Sequence, residues 1–475
     1  MTSHHESIDV VVLGEGLGGL VAANLLVQSH LHVLILKEED YRSIYPKEGY
    51  RFAPFSNFRE RRVPSHLIQK ISSHLSLPQL PEPSHQLGSF QIILPQARID
   101  LFPRGPLFDR EIKREFPKEV DKIKTLYDSI VQKKESLMRK KMEEGEALFP
   151  LFPSHSLWRR LKGFMWKKRE GLNKRFSSFS KEFREYLKLQ IFAKGNFLSE
   201  QVDFSLASYL LLSEEGFSGI SSEKMKEILF KKFIDSGGRA LGLEGLEEVE
   251  RKGRDGFYLL LRSEERAIHS RFLLLSLPLH PISERFNFFQ QNLSRWIQRI
   301  KPSFLILPLF IGIREKGLPV GMGDLLVSIF DLERTYENGN LLYLSLSPRG
   351  EESQAPEGRR ALLVEGLMAT HAWDSSSLDL FQKGVISHLK HLIPFFEDFI
   401  EFVDFEWTLD QVNKISYPHF IYETDFDFHW REGIVPIRVS KNLFFVGKEN
   451  FPYLGVEGEI LAGMKAAKEI LRKVR

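Results

Sequence analysis

A short β-branched run, Ile8 to Leu13, is followed by apolar positions at helical spacing from Leu17 to Gln28 and by a second strand-like run, His32 to Leu36. The pattern predicts a β-α-β opening with glycines at the first strand-to-helix turn. From about Lys47 to Pro117 the chain is rich in proline and short apolar runs, and "SFQIILPQARIDLFP" (Ser89 to Pro103) reads as a hairpin. A helix is expected over Glu111 to Ile130, continuing into a basic helical segment. A new unit starts near Gly216, where "SSEKMKEILFKKFIDSGG" has a Ser cap, helical spacing and a Gly-Gly stop. Three strand-like pieces follow: Gly245 to Glu250, Gly256 to Arg262 and Ala267 to Pro278. Farther on, strands are expected around Phe304 to Ile313, Leu341 to Leu346 and Ala361 to Met368, with a helix around Leu378 to Leu392. The chain closes with "NLFFVGKENFPYLGVEGEILAGMKAAKEIL" (Asn442 to Leu471), a strand, a glycine-containing loop and a helix.

At 475 residues the chain exceeds what one core usually serves, which argues for two domains, here interleaved. The absence of cysteine excludes disulfides, Cys-ligated metal centres and a thiol nucleophile, so redox chemistry needs a bound cofactor. The N-terminal "MTSHHESID" lacks the layout of a signal peptide, and Phe304 to Ile313 is too short to span a bilayer. The expectation is a cytoplasmic protein that is soluble or peripheral at the membrane. Net charge is +3, but Val131 to Lys188 holds 16 Lys and Arg against 7 Glu and no Asp, a local +9.

Gly14, Gly16 and Gly19 satisfy G-x-G-x-x-G between a strand and a helix. The first glycine allows the tight turn, the second lets backbone approach a pyrophosphate, and the third lets the helix pack on the sheet. Glycine turns also serve ordinary strand-helix packing.

The C-terminal strand, loop and helix resemble the closing motif of the phytoene desaturase-like branch of the FAD-dependent amine oxidase superfamily. That motif is a strand ending Val-Gly-Asp, a Phe-Pro-Gly-Leu-Gly-like loop, and a helix with Ser-Gly and Ala-Ala. "IILPQARIDLFPRGPLFDREIKREFPKEVDKI" resembles the family's hairpin and following helix, and "EGYRFAPFSNF" its Gly-x-x-Phe-Asp segment, with Ala53 in place of the Asp. The resemblance implies an α/β fold: a Rossmann-like FAD/NAD(P)-binding domain over 1–75, 216–281 and 435–475, with an interleaved α+β substrate domain over 76–215 and 282–434. It also implies that backbone N–H groups near Gly455, Val456 and Glu457, with the positive end of the helix, stabilise a reduced flavin.

Two departures carry charge. Where the family has Glu for the adenosine ribose, this chain has Lys37, followed by Glu38 and Glu39; where it has Asp after Val-Gly447, this chain has Lys448, followed by Glu449. A Lys cannot accept a hydroxyl proton. The adjacent glutamates substitute by a one-residue shift, or flavin binding is weakened, or another nucleotide such as NADP is held, its 2′-phosphate beside Lys37.

Catalytic acids and bases are scarce. His388 and His391 form H-x-x-H, too few ligands for a metal, and both are expected to face solvent. Ser218 in "GFSGI" lacks the strand elbow of a hydrolase nucleophile. The segment "SLWRRLKGFMWKKREGLNKRF" (Ser156 to Phe176) sets Trp158, Leu161, Met165, Leu172 and Phe176 at near-helical spacing among bases, which suits an anionic membrane surface or a cap helix with that stripe inward. Nucleic acid is disfavoured as a partner, since bases and aromatics are confined to this one segment. The expected function is an FAD-dependent oxidoreductase, of desaturase or saturase type, on an apolar, isoprenoid or lipid substrate. The alternatives are a cofactor-degenerate scaffold that binds lipid or partner, and a monoamine-type oxidase, disfavoured because no paired aromatic cage is evident beside Tyr453.

Overall fold

Strand pairing divides the chain between two large sheets and a small hairpin. The computed structural model describes residues 6–38, 44–52, 65–77, 90–102, 104–143, 176–193, 204–211, 222–253, 256–262, 266–371, 375–412, 414, 420–423 and 433–474. The first sheet contains β1 (Glu6–Leu13), β2 (Val33–Lys37), β7 (Arg239–Gly242), β8 (Leu246–Lys252), β9 (Gly256–Leu261), β10 (Arg266–Leu275) and β17 (Leu443–Phe445). Its order is β7-β2-β1-β10-β9-β8, with β17 beside the second half of β10. β7, β2, β1, β10 and β17 run parallel; β8 and β9 are antiparallel. The small hairpin is β3 (Tyr45–Lys47) with β4 (Tyr50–Phe52).

The second sheet contains β5 (Phe90–Leu94), β6 (Ala97–Asp100), β11 (Lys301–Arg314), β12 (Leu325–Ile329), β13 (Leu341–Leu346), β14 (Arg359–Ala369), β15 (Ile400–Asp404) and β16 (Phe420–Glu423). Its order is β15-β11-β14-β13-β12-β5-β6, with β16 on β11. β12, β13 and nearly all of β14 are buried, so these strands read as continuous apolar runs rather than alternations.

β1 and β2 of the first sheet are buried too over Val10 to Leu13 and Val33 to Leu36, and that is why those runs are uniformly apolar. The first helix, Leu17–Val27, is apolar all round because ten of its eleven residues are buried. It lies against the helices Ser222–Asp235 and Val456–Val474 as well as the sheet. Gly463 allows the closest approach: a Cβ there would stand 2.1 Å from the Gly18 carbonyl oxygen.

The helix expected over Glu111 to Ile130 is two helices, Pro106–Glu115 and Val120–Glu143. Pro117 causes the break, since the residue before a proline is pushed out of helical conformation, and Phe116 sits at φ −126°. β7, missed behind the Gly-Gly stop, is a short edge strand with only Leu241 as a large apolar residue. No described helix is long and apolar enough to cross a membrane.

Candidate functional site

The carboxyl ends of the parallel strands meet along one edge of the first sheet, where ligands bind in folds of this kind. Along that edge stand Lys37 at the end of β2 with Glu38 after it, Gly14 after β1, Ser276 after β10 and Gly447 after β17. The turn from β1 is pinned by Gly14 N–H donating to the Leu36 carbonyl at 2.7 Å, and Ser276 N–H donates to the Leu13 carbonyl at 2.7 Å. Gly14 has φ +95°, a conformation that only glycine adopts without strain.

The first helix starts at the N-cap Gly16, which has no side chain to accept from the free N–H groups of the first turn. Two other side chains do so. Gly19 N–H donates to Ser276 Oγ at 3.1 Å, and Gly18 N–H donates to Glu459 Oε1 at 3.3 Å. The Glu459 carboxylate, on the C-terminal helix and only 6% exposed, therefore sits at the positive end of the first helix, where an anionic ligand is ordinarily held. A Cβ on Gly16 would stand 2.6 Å from Ser276 Oγ and 2.8 Å from Glu459 Oε1. The glycines of this turn thus make room for Ser276 and for the Glu459 carboxylate, which take the free N–H groups of the first turn.

Sequence reading passed over Glu459, yet a signal was present. It lies one helical turn before Gly463, so both share the face that meets the glycine turn. The other acid of that turn, Glu457, accepts from the Tyr209 hydroxyl at 2.6 Å. Gly455, with φ +54°, turns the chain into this helix, and its carbonyl accepts from Glu459 N–H at 3.2 Å. Val456 is buried at the first position.

Glu449 is fully buried, and its Oε1 accepts from Leu279 N–H at 2.8 Å and from the Tyr422 hydroxyl at 2.7 Å. It ties β16 to the helix Leu279–Arg285. Gly447 N–H donates to Asn450 Oδ1 at 2.8 Å, and the Asn450 amide reaches the Val435 carbonyl at the same distance, so this loop is rigidly braced. Lys448 is half-exposed beside it.

At the other end of the edge Glu38 is buried, whereas Lys37 lies 5.0 Å over the Phe230 ring. Near it is Glu15, the residue between the first two glycines. Burial raises the Glu15 pKa above the usual carboxylate range; Lys37 and Lys226 pull it back, and Glu223 and Glu38 add to the rise. Glu39 and Ala53 lie outside the described residues, as do Ser218 and residues 156–175 of the basic segment; Phe176 is buried.

The H-x-x-H pair does not lie wholly on the surface as expected. His391 is exposed, but His388 is buried, with Nδ1 2.8 Å from the Gly339 carbonyl and Nε2 2.8 Å from the Ser328 hydroxyl. The carbonyl accepts the Nδ1 proton, so Nε2 accepts from the serine. Burial lowers the His388 pKa to about 4, which keeps the ring neutral at pH 7. Among the described residues no three His, Asp or Glu gather as a metal site.

Residues 327–471 match the family model of flavin-containing amine oxidoreductases. Comparison with curated proteins gives no match. The fold is similar to that of a putrescine oxidase variant with redesigned cofactor binding, at 14% identity and a TM-score of 0.63, covering 99% of this chain and 100% of that one. Cyclohexylamine oxidase from Brevibacterium oxydans is similar at 14% identity and a TM-score of 0.57, over 98% of this chain and 99% of that one. A Pyrococcus furiosus protein follows at 13% identity and 0.59, over 98% of each. At such identities the likeness is one of fold, and it spans the whole chain.

Proposed function

We propose that this chain is an FAD-dependent oxidoreductase of desaturase or saturase type, built on an amine oxidase-like fold, that acts on an apolar substrate. The observation that carries the reading is the meeting, at one sheet edge, of the glycine turn after β1 with the first turns of the C-terminal helix, locked by Gly463 against Gly18. The match to flavin-containing amine oxidoreductases includes that helix. In this reading the backbone of Gly14, Gly16 and Gly19 receives the FAD diphosphate and Glu38 accepts from ribose hydroxyls. The N–H groups of Gly455, Val456 and Glu457 offset charge on the flavin. Bound there, FAD supplies the electron-accepting chemistry that a cysteine-free chain lacks. The residues' own task is to bind and orient it, once Glu459 has moved off Gly18 N–H.

The apolar substrate, and within it an isoprenoid or fatty one, rests on the motif resemblance to phytoene desaturase-like proteins and on the second sheet. Its strands β12 and β13 and most of β14 are apolar, with Arg359, Arg360 and Glu365 as the charged residues of β14. Association of residues 156–176 with an anionic membrane belongs to the same proposal, and sedimentation with liposomes at low and high salt checks it. Anaerobic bleaching of the reconstituted flavin by isoprenoid or fatty substrates, without bleaching by primary amines, is the expected result. Bleaching by amines alone overturns the substrate class.

Glu459 favours a second reading, a scaffold that has given up its cofactor. The visible spectrum separates the two: the oxidoreductase takes up FAD and shows flavin bands, whereas a scaffold stays colourless even with Glu459→Ala.

A further inference from the structure

The opposite edge of the first sheet, at the amino ends of its parallel strands, holds a pocket of about 640 Å³. Its floor is Ile8 and Phe272, and its rim carries Arg271, Arg438, Lys441 and Lys473. These four cations come from three parts of the chain: Arg271 from β10, Arg438 and Lys441 from the loop entering β17, and Lys473 from the last turn of the C-terminal helix. Arg251 joins them by donating to Ser440 Oγ at 3.2 Å on the same loop. The carboxylate lining the pocket, Asp9, already accepts from His32 N–H at 2.8 Å.

The end of the C-terminal helix accounts for two of these charges. Arg271 donates to the Lys473 carbonyl in its last turn, and Lys473, a cation favoured at that end of the helix, donates to the Lys441 carbonyl of the loop entering β17. Capping gives no reason for Arg438 and Lys441 to be cationic as well, since like charges gathered over an apolar floor repel one another. Burial and the charges of Arg438, Lys441 and Arg271 hold the Lys473 pKa below its ordinary range, against the opposing pull of Glu469. Arg271 is preorganised: it lies 5.1 Å over the Phe272 ring and donates to the Lys473 carbonyl at 3.1 Å.

We propose that this pocket binds a ligand bearing two or more negative charges on phosphate oxygens, with Arg271, Arg438, Lys441 and Lys473 as its partners and Phe272 as an apolar floor. Guanidinium and ammonium groups from three elements match the spread of acceptor oxygens on a phosphate ester or diphosphate, and charge-assisted hydrogen bonds of this kind are the strong ones. The site is independent of the glycine turn, which lies at the other end of the same strands. The same chemistry is offered by a soluble phosphate ester and by the phosphate headgroup of a lipid.

Calorimetric titration of the full chain with inorganic pyrophosphate, and flotation with phosphatidylcholine vesicles with and without phosphatidic acid, separate the two sources. The expected result is saturable binding that weakens with salt and falls at least tenfold in an Arg438→Ala, Lys441→Ala variant. Lys118→Ala with Lys122→Ala, an equal charge change at exposed positions around the start of the helix Val120–Glu143, should leave binding unaltered. Arg438 and Lys441 are exposed, so an unchanged melting temperature shows that the variant folds. Loss of pyrophosphate binding alone assigns a soluble phosphate ester; loss of flotation as well assigns a lipid headgroup. Undiminished binding in the double variant, or no binding of either probe by the wild type, overturns the proposal.

Discussion

The two edges of the first sheet carry opposite charge and opposite relations to sequence motif. At the carboxyl edge a textual signature for anion binding is present, yet Glu15, Glu38, Glu449, Glu457 and Glu459 gather there, and one of them already holds the helix N-terminus that the signature advertises. At the amino edge no motif exists, yet four cations surround a pocket. The contrast teaches that a glycine pattern reports backbone shape, while affinity for an anion depends on the side chains that tertiary packing brings to that shape.

Breaking the carboxyl edge outright should have the largest effect. Gly463→Val places a side chain against the Gly18 carbonyl, where even a Cβ would be 2.1 Å away. Overpacking of this kind costs about 1–3 kcal/mol and more where backbone must shift. Urea denaturation should show the loss, whereas the amino-edge variant Arg438→Ala, Lys441→Ala should keep the wild-type midpoint. Equal midpoints for Gly463→Val and wild type would mean that the two helices do not meet as described.

Removing the internal anion comes next. Glu459→Ala frees the Gly18 N–H and the positive end of the first helix, so FAD affinity should rise by about 1.5–3 kcal/mol, the range for a hydrogen bond to a charged group. Fluorescence titration of FAD measures it. A fall in affinity would show that the carboxylate assists the cofactor instead of competing with it.

Charge reversal at Lys37 tests the other end of that edge. Lys37→Glu removes the contact with Phe230 and adds a third carboxylate near Glu15 and Glu38, so it should destabilise the fold by about 1–2 kcal/mol, counting a cation–π contact and a like-charge pair. Thermal melts at low salt read this out. A gain in FAD affinity without loss of stability would instead favour a restored ribose acceptor.

The smallest effect is a pH dependence at Glu15. Its folded pKa lies above the unfolded value because of burial, so between the two the native state keeps a proton that the unfolded chain has lost. Stability from this group is therefore present below the unfolded pKa of 4.5 and lost as pH rises through the folded value. Glu15→Gln should have a higher urea midpoint than wild type at pH 7, with the gap closing toward pH 4. A gap that stays constant with pH would assign the effect to something other than this titration.

Much of the scaffold was legible in residue order. The β-α-β opening, the hairpin after Ser89, the long strands at Phe304 to Ile313 and Ala361 to Met368, and the closing strand and helix all follow from apolar runs and helical spacing. Elements without such a signal were missed: β7 is short and lies at an edge, and β12 is hidden in an apolar stretch of mixed character. His388 shows the same limit, because a histidine's polarity suggests a surface position while its burial is decided by Ser328 and Gly339, donor and acceptor from two other segments.

The amino-acid sequence alone determined most of the strands and helices, that a glycine turn would open the first helix, and that any redox chemistry in a cysteine-free chain would need a cofactor. Those properties depend on neighbours a few positions apart. Only the tertiary structure decided that Glu459 would face Gly18 from 441 positions away, and that Arg271, Arg438, Lys441 and Lys473 would share one pocket. Periodicity tells which face of an element is turned inward; the partner that face meets is set by strand order and helix packing across the whole chain.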